Sequence, residues 1–494
     1  MMEWSIPIFV AIPLFFAFIL PIAGRKSERV GDVLANIGTL TTLIFAILNV
    51  KFMKETSVYY VGGWKLPMGI YLVRDALTIF MLITVNLVAF MSTLFSINYM
   101  QKFTDKTKYY ALFMLMLAGM NGVIITGDFF NLYVFLEIAA IASYALVAYG
   151  IESEELESAF KYQVMGSVGS AFILLAIILI YSHTGTLNMA DVGKVLQEKG
   201  LSNLLIFVSV LFIVGFGIKA GVIPFHAWLP DAHPSAPAPI SAMLSGAAIK
   251  VMGIYPLIRI IYNVIGFNEL FSNILMILAV ISIIMGDLLA LLQWDYKRLL
   301  AYSSISHIGF ILLAVGLGTP LGILAGLFHL FNHSVIKALL FLNSGSIVYS
   351  AGTRDLKEMG GLDKDMPVTS KTNLIGSMSI AGIPPFNGFW SKLLIIVACI
   401  TAGKAGYAWW AIAGSIITLA VFAKAYKYAF CGESKKKVKE SPAWMCIAMI
   451  ILAIICVAGG LLLLPEVKVA FLNPVVEVIR GGLQYIDRVL GGLQ

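Results

Sequence analysis

The sequence predicts an all-α polytopic membrane protein of about fourteen transmembrane helices, built in part as two inverted five-helix repeats with helices 7 and 12 broken. Three observations carry this: the apolar bulk of the chain, apolar runs of bilayer length, and a short internal echo around proline. Of 494 residues, 60% are hydrophobic and only 12% charged, and the mean hydropathy is +0.91. Soluble proteins average about 25% charged. Runs of about 20 apolar residues suffice to cross a bilayer. They fall at 4–23, 30–50, 75–97, 110–127, 129–150, 161–183, 203–229, 236–262, 268–293, 297–317, 320–350, 371–403, 407–430 and 442–464. The first has no basic segment ahead of it and no small-residue cleavage site, so it reads as a retained span.

The formal net charge of +7 lies mostly in short loops, where it sets topology rather than binding nucleic acid. With the N-terminus outside, the inner loops hold Arg25, Lys26, Arg29; Lys102, Lys106, Lys108; Lys297, Arg298; Arg354, Lys357, Lys364, Lys371; and Lys435, Lys436, Lys437, Lys439. An even number of spans with both ends outside follows. The inner loop from Glu152 to Glu157 is acidic, and acidic residues carry little weight in orientation. Ser57–Arg74, with a Gly-Gly and a Pro amid apolar residues, predicts an outer hairpin. The tail after Val467 has helical spacing and predicts an interfacial helix.

AGVIPF at Ala220–Phe225 recurs as AGIPPF at Ala381–Phe386. Lys161 followed by Gly169-Ser170 recurs as Lys337 followed by Gly345-Ser346. The echoes pair spans 4–8 with spans 9–13, and a unit with an odd number of spans must return inverted. Inverted repeats with helices broken near the midplane are the plan of many ion-coupled transporters. The organisation expected is therefore 1–109 for three N-terminal helices, 110–262 and 268–430 for the two repeats, and 431–494 for the last span and tail. The four cysteines, Cys399, Cys431, Cys446 and Cys456, form no CxxC pair for zinc, an iron–sulfur cluster or haem. No cofactor is expected, and any redox chemistry must belong to another polypeptide.

Ionisable groups inside spans cost about 2.5–3.5 kcal/mol each on insertion scales, so they are functional candidates first. Glu137 lies in span 5 with apolar helix on both sides, and Lys219, just before Gly221 and Pro224, is its natural partner. A lysine in an apolar setting holds its charge at a cost, which suits proton exchange. Without function, the two could pack as a permanent ion pair. Lys250 lies more than two turns into span 8, too deep to snorkel. In span 11, His329, His333 and Lys337 follow at steps of four and share one helix face, as proton hopping requires. Two histidines at that spacing can also ligate zinc, but no acidic or thiol ligand accompanies them. Lys392 follows the Pro384-Pro385 break, and His307 stands among Ser303, Ser304 and Ser306. Asp231, His226 and His233 lie at the mouth of the first break, where loop structuring and ion uptake are equal readings.

FHAWLPDAHPSAPAPISAMLSGAAIK, KRLLAYSSISHIGF and FHLFNHSVIKALLFLNSGSI together resemble the antiporter-like membrane subunits shared by respiratory complex I, Mrp cation/proton antiporters and membrane-bound hydrogenases. Within that group the chain is most similar to the Mrp D-type subunit and its archaeal hydrogenase or sulfane-reductase counterpart. The resemblance runs from about span 3 to span 13. It implies proton translocation along Glu137, Lys219, Lys250, His307, His333 with Lys337, and Lys392, the last a glutamate in some complex I members. It also implies partner membrane subunits, H+ and in some members Na+ as transported ions, and a multi-pass place in the cell membrane. A stand-alone solute transporter or a structural anchor for an oxidoreductase are the rival readings. The first lacks a visible solute cage, and the second leaves the buried charge unexplained.

Overall fold

The computed structural model describes residues 3–24, 27–64, 69–103, 105–200, 203–433 and 437–491. Arg25, Lys26, Lys435 and Lys436 of the basic loops, and 65–68 of the hairpin, lie outside the described residues. Among the described residues, twelve helices are long and apolar enough to cross a membrane, and two shorter apolar helices accompany them.

The first helices are α1 (Ile8–Ala23), α2 (Glu28–Leu48), α3 (Ala76–Tyr99), α4 (Lys106–Ile125), α5 (Phe129–Val147) and α6 (Ser153–Thr184). Next come α7 (Met189–Lys199), α8 (Asn203–Ala220), α9 (Leu229–Ser235) and α10 (Ala238–Ile265). The chain goes on through α11 (Glu269–Leu292), α12 (Tyr296–Gly316), α13 (Pro320–Ala351), α14 (Pro367–Ala381), α15 (Asn387–Thr401), α16 (Ala405–Phe430) and α17 (Ala443–Ala458). It ends in α18 (Asn473–Arg480) and α19 (Gln484–Gly491). Many starts are fixed by a short acid or amide. Asp75, Asp128, Asn268 and Asp295 each accept the backbone N–H three residues on, an N-cap worth about 1 kcal/mol.

Two spans break where the sequence echo predicts. α8 ends at Ala220 and α14 at Ala381, and each is followed by a glycine at positive φ, Gly221 (70°) and Gly382 (84°). A side chain at that φ is strained, so glycine closes both helices. The same backbone bonds recur: Val222 N–H to Gly217 and Ile383 N–H to Met378, both 3.0 Å. Helix interruptions at membrane depth must be satisfied by protein or water. Here the Trp228 indole N–H donates to Ile218 O at 2.8 Å and Ser282 accepts the Ile223 N–H at 3.2 Å. At the second break Asn332 and Asn387 are joined by two bonds of 3.1 Å. The other echo diverges in setting: Lys337 is fully buried, whereas Lys161 is half-exposed and paired with Glu157 and Asp231.

α10 and α13 stand in the middle of the bundle, enclosed along their lengths, while α2, α6, α11 and α16 keep outward apolar faces. α10 is also irregular, with π turns at Leu244–Ala248, Lys250–Ile254 and Ile261–Ile265. Such turns are rare and concentrate at functional sites.

The loops read as inner gather on one face of the molecule. Lys102 lies over Tyr349 at 3.9 Å, Arg354 joins Glu154 and Asp295, and Arg298 and Lys161 both bind Asp231. On the opposite face, strands β1 (Ser57–Tyr60) and β2 (Tyr71–Arg74) form the expected antiparallel hairpin. Tyr71 pins it to α7 through a 2.6 Å bond to Asn188. α7 itself is a short, polar helix that span-length patterning does not signal. The tail buries Val475, Ile479, Tyr485 and Val489 against the protein, and Asn263 holds the carbonyls of Val478 and Gly482 at 2.9 and 3.0 Å. Beneath it, Arg259 grips Asp75 through two bonds of 2.7 and 2.9 Å, a buried pair that ties α10 to α3.

Candidate functional site

Along the proposed axis every candidate residue but Glu137 is buried, and together they form two groups. The first is Glu137 of α5 with Lys219 of α8. Lys219 is 2% exposed and its Nζ stands 3.7 Å from Glu137 Oε1, whose side chain keeps 27% exposure. Ser170 of α6 donates to the same carboxylate oxygen, and Tyr144 OH lies 3.5 Å from the ammonium. Tyr144 meets Tyr162 edge-on at 4.5 Å, and Tyr162 stacks on Trp228 at 4.1 Å. This stack connects the ion pair to the segment that breaks the span. A cation in the last turn of a helix also faces the negative end of its dipole.

The second group comprises two hydrogen-bonded runs. Lys250 donates to the carbonyl of Ser245, five residues back in the irregular stretch of α10. Ser245 Oγ meets Ser304 Oγ at 2.7 Å, Ser304 donates to Leu300 O at 2.8 Å, and Lys337 donates to that same carbonyl at 2.9 Å and to Ser303. One turn on, His307 Nδ1 faces His329 Nε2 at 3.1 Å, and His329 Nδ1 faces Ser391 Oγ at 2.9 Å. Ser391 precedes Lys392, whose Nζ makes no hydrogen bond and lies 5.0 Å from the Phe310 ring. His333 stacks on His307 at 5.1 Å and 8°, with both its ring nitrogens unbonded. The three imidazoles are near-parallel, a geometry for passing a hydrogen bond along rather than for converging on an ion. No group of three or more His, Cys, Asp or Glu suited to a metal occurs among the described residues.

His307 bonds to His329 through Nδ1, while its Nε2 has no partner, so no hydrogen bond joins it to the serines. His329, His333 and Lys337 do share one face, but His329 belongs to the histidine run, Lys337 to the serine run, and His333 to neither. Among the described residues neither run reaches Lys219. The two groups meet through backbone, with Ala220 packed so tightly on Gly253 that a Cβ there would come within 2.6 Å.

At the first mouth, His233 is fully buried beside Phe341, 5.5 Å between rings. Lys297 donates to the next carbonyls, Pro234 at 3.2 Å and Ala236 at 2.6 Å. Asp231 instead faces Lys161 and Arg298, and His226 is only half-buried. Three further groups escaped the sequence reading. Ser391 has no signal of its own, and Lys297 looked like an ordinary loop cation. Asp287 is fully buried in α11, and an acid this far inside the run 268–293 carries the same signal that singled out Glu137.

Residues 126–423 match the family described as NADH:quinone oxidoreductase/Mrp antiporter, transmembrane, and 59–110 match the N-terminus of complex I chain 5. The chain is 35% identical over 421 residues to the D-type subunit of the Na(+)/H(+) antiporter of Alkalihalophilus pseudofirmus, 85% of each chain. It is 30% identical to hydrogenase-4 component B of Escherichia coli, covering 92% of this chain and 72% of the other. Among solved structures, a chain of the Mrp complex from Dietzia superposes with a TM-score of 0.92 at 27% identity, covering 99% and 100%. A chain of the archaeal membrane-bound sulfane sulfur reductase does so at 0.90 and 31%, with the same coverage. A multi-pass helical fold, paired acid and base at the first break and a matched transmembrane region thus agree: the chain belongs to the NADH:quinone oxidoreductase/Mrp antiporter family of membrane subunits.

Proposed function

We propose that this chain is an antiporter-like subunit of a multisubunit membrane complex and moves protons along Glu137, Lys219, Lys250, Lys337, His307, His329 and Lys392. The observation that carries this is the burial, in the middle of the bundle, of two hydrogen-bonded runs, one from Lys250 through Ser245 and Ser304 to Lys337 and one from His307 through His329 to Ser391, beside Lys392. Buried cations without an anion in contact cost several kcal/mol each. Lys250, Lys337 and Lys392 form no ion pair within 4.0 Å among the described residues, so stability alone does not account for them. Glu137 governs the charge of Lys219, and the half-exposed carboxylate is where a neighbouring subunit acts on it. His333 supports the stack and enters when water joins its free nitrogens to the chain.

The architecture we infer has fourteen spans, counting α1 as one and the α14–α15 pair as one broken span. Residues 110–262 and 268–430 are the inverted repeats, with 1–109 and 431–494 flanking them. The shared bonding at Gly221 and Gly382 supports this. Hydration of each break in turn connects the axis to one side of the membrane. Partners are membrane subunits of an Mrp-like or hydrogenase-like complex, and the ions are H+ with Na+ as counter-ion in an antiport version.

The test is Lys219→Ala and Glu137→Ala in the reconstituted complex, with a pH dye reporting the lumen. Loss of acidification at normal assembly is expected; parental acidification contradicts the proposal.

A further inference from the structure

Asp287 is a charge that this path does not yet use. It is held in a slot between α11, α12 and α16: Thr418 donates to Oδ2 at 2.9 Å, and Ser306 faces the same carboxylate. A Cβ on Gly414 would lie 3.3 Å from Phe310 Cζ and 3.6 Å from Asp287 Oδ2, so ring edge and carboxylate meet beside that glycine. On Phe310 lies Lys392, at 5.0 Å. Phe422, one turn past Thr418, has Lys337 above it at 5.7 Å. Asp287 thus has Lys392 and Lys337 within electrostatic reach but beyond 4.0 Å, each ammonium lying near a phenylalanine ring.

No contact within 4.0 Å joins acid and base here, so this is not a locked salt bridge. In a low-dielectric interior, a charge several ångströms away still changes its neighbour strongly. The other titratable group beside the slot is His307, next to Ser306. From α16, Lys404 and Lys424 face only the two ends of α11, at Ser272 and at the carbonyls of Leu291 and Gln293.

We propose that Asp287 is the anionic partner that sets the charge of Lys392 and Lys337, doing in the second half of the path what Glu137 does in the first. This rests on the proton-transfer reading above. Asp287 acts through the lysines as a positioning residue, and the single negative charge is shared: when it favours a proton on Lys392 it is less available to Lys337.

The experiment compares Asp287→Asn, Asp287→Glu and Lys219→Ala in the intact reconstituted complex, measuring proton flux per assembled complex from pH 6 to 9. Asparagine keeps an acceptor for Thr418 but removes the charge, which makes both lysines lose protons more easily. Flux should fall about tenfold at the alkaline end, its profile moving to lower pH, and glutamate should restore most of it. Parental flux and profile in Asp287→Asn, with Lys219→Ala inactive, overturns the inference alone. So does an equal loss at every pH in both Asp287 variants, which marks a structural role. Parental flux in Lys219→Ala overturns the proton-transfer reading and this inference with it. Should Asp287→Asn not assemble, Thr418→Val keeps the charge but frees the carboxylate: a shifted profile supports the inference, an unchanged one overturns it.

Discussion

The two breaks share a backbone and differ in their lysines. Lys219 sits in the last turn of α8, before its break, while Lys392 sits in the second turn of α15, after its break. The first faces a carbonyl end that favours a cation, and has Glu137 at 3.7 Å and Tyr144 at 3.5 Å. The second lies toward an amide end, over Phe310, without a hydrogen bond. Glu137 is also reachable from the protein surface, whereas Asp287 is sealed. Two similarly bonded breaks thus carry a lysine held by an acid that reaches the surface and a lysine without a contacting acid inside. In the proposed path, that asymmetry would place control at the Glu137 end.

The contrast can be broken in several ways. The deepest loss should come from Lys250→Ala, because no other side chain joins the serine chain at that point. Flux per assembled complex should fall by about a hundredfold, the scale for removing a proton-transfer group. Glu137→Gln leaves Lys219 in place but without its anion at 3.7 Å, and should cost about tenfold in flux. If Glu137→Gln is silent, the outward end is not where control lies. Ser391→Ala removes the hydroxyl that meets His329 Nδ1 next to Lys392 and should cost about threefold, in keeping with the net worth of a single hydrogen bond. Lys161→Ala should change nothing beyond assay error, since exposed ion pairs contribute about 0–1 kcal/mol. A strong effect there would restore the Lys161–Lys337 echo as a functional one.

Much of this was legible in the sequence, because ionisable groups within apolar runs are rare and expensive. Glu137, Lys219, Lys250, Lys337 and Lys392 stand out for that reason, and the AGVIPF echo placed both breaks. The steps of four in α13 gave the shared face. What patterning could not give is how neighbours complete the path. The π turns around Lys250 have no periodic signature. His307 meets His329 only because α12 packs against α13, and Trp228 became structural because Ile218 lies at the end of the broken helix. Asp287 was within reach of the criterion used for Glu137. The tail's apolar face reads as membrane-surface helix until α3 and α7 are seen to cover it.

The central claim is that the two groups of charges are one path in series. The direct measurement is proton flux through the reconstituted complex carrying Lys219→Ala, Lys392→Ala, or both, at equal assembly. In series, each single variant falls to the same background and the double falls no further. If each single variant keeps about half the flux, as two independent parallel paths require, and only the double abolishes it, the halves work separately and the relay drawn here is wrong.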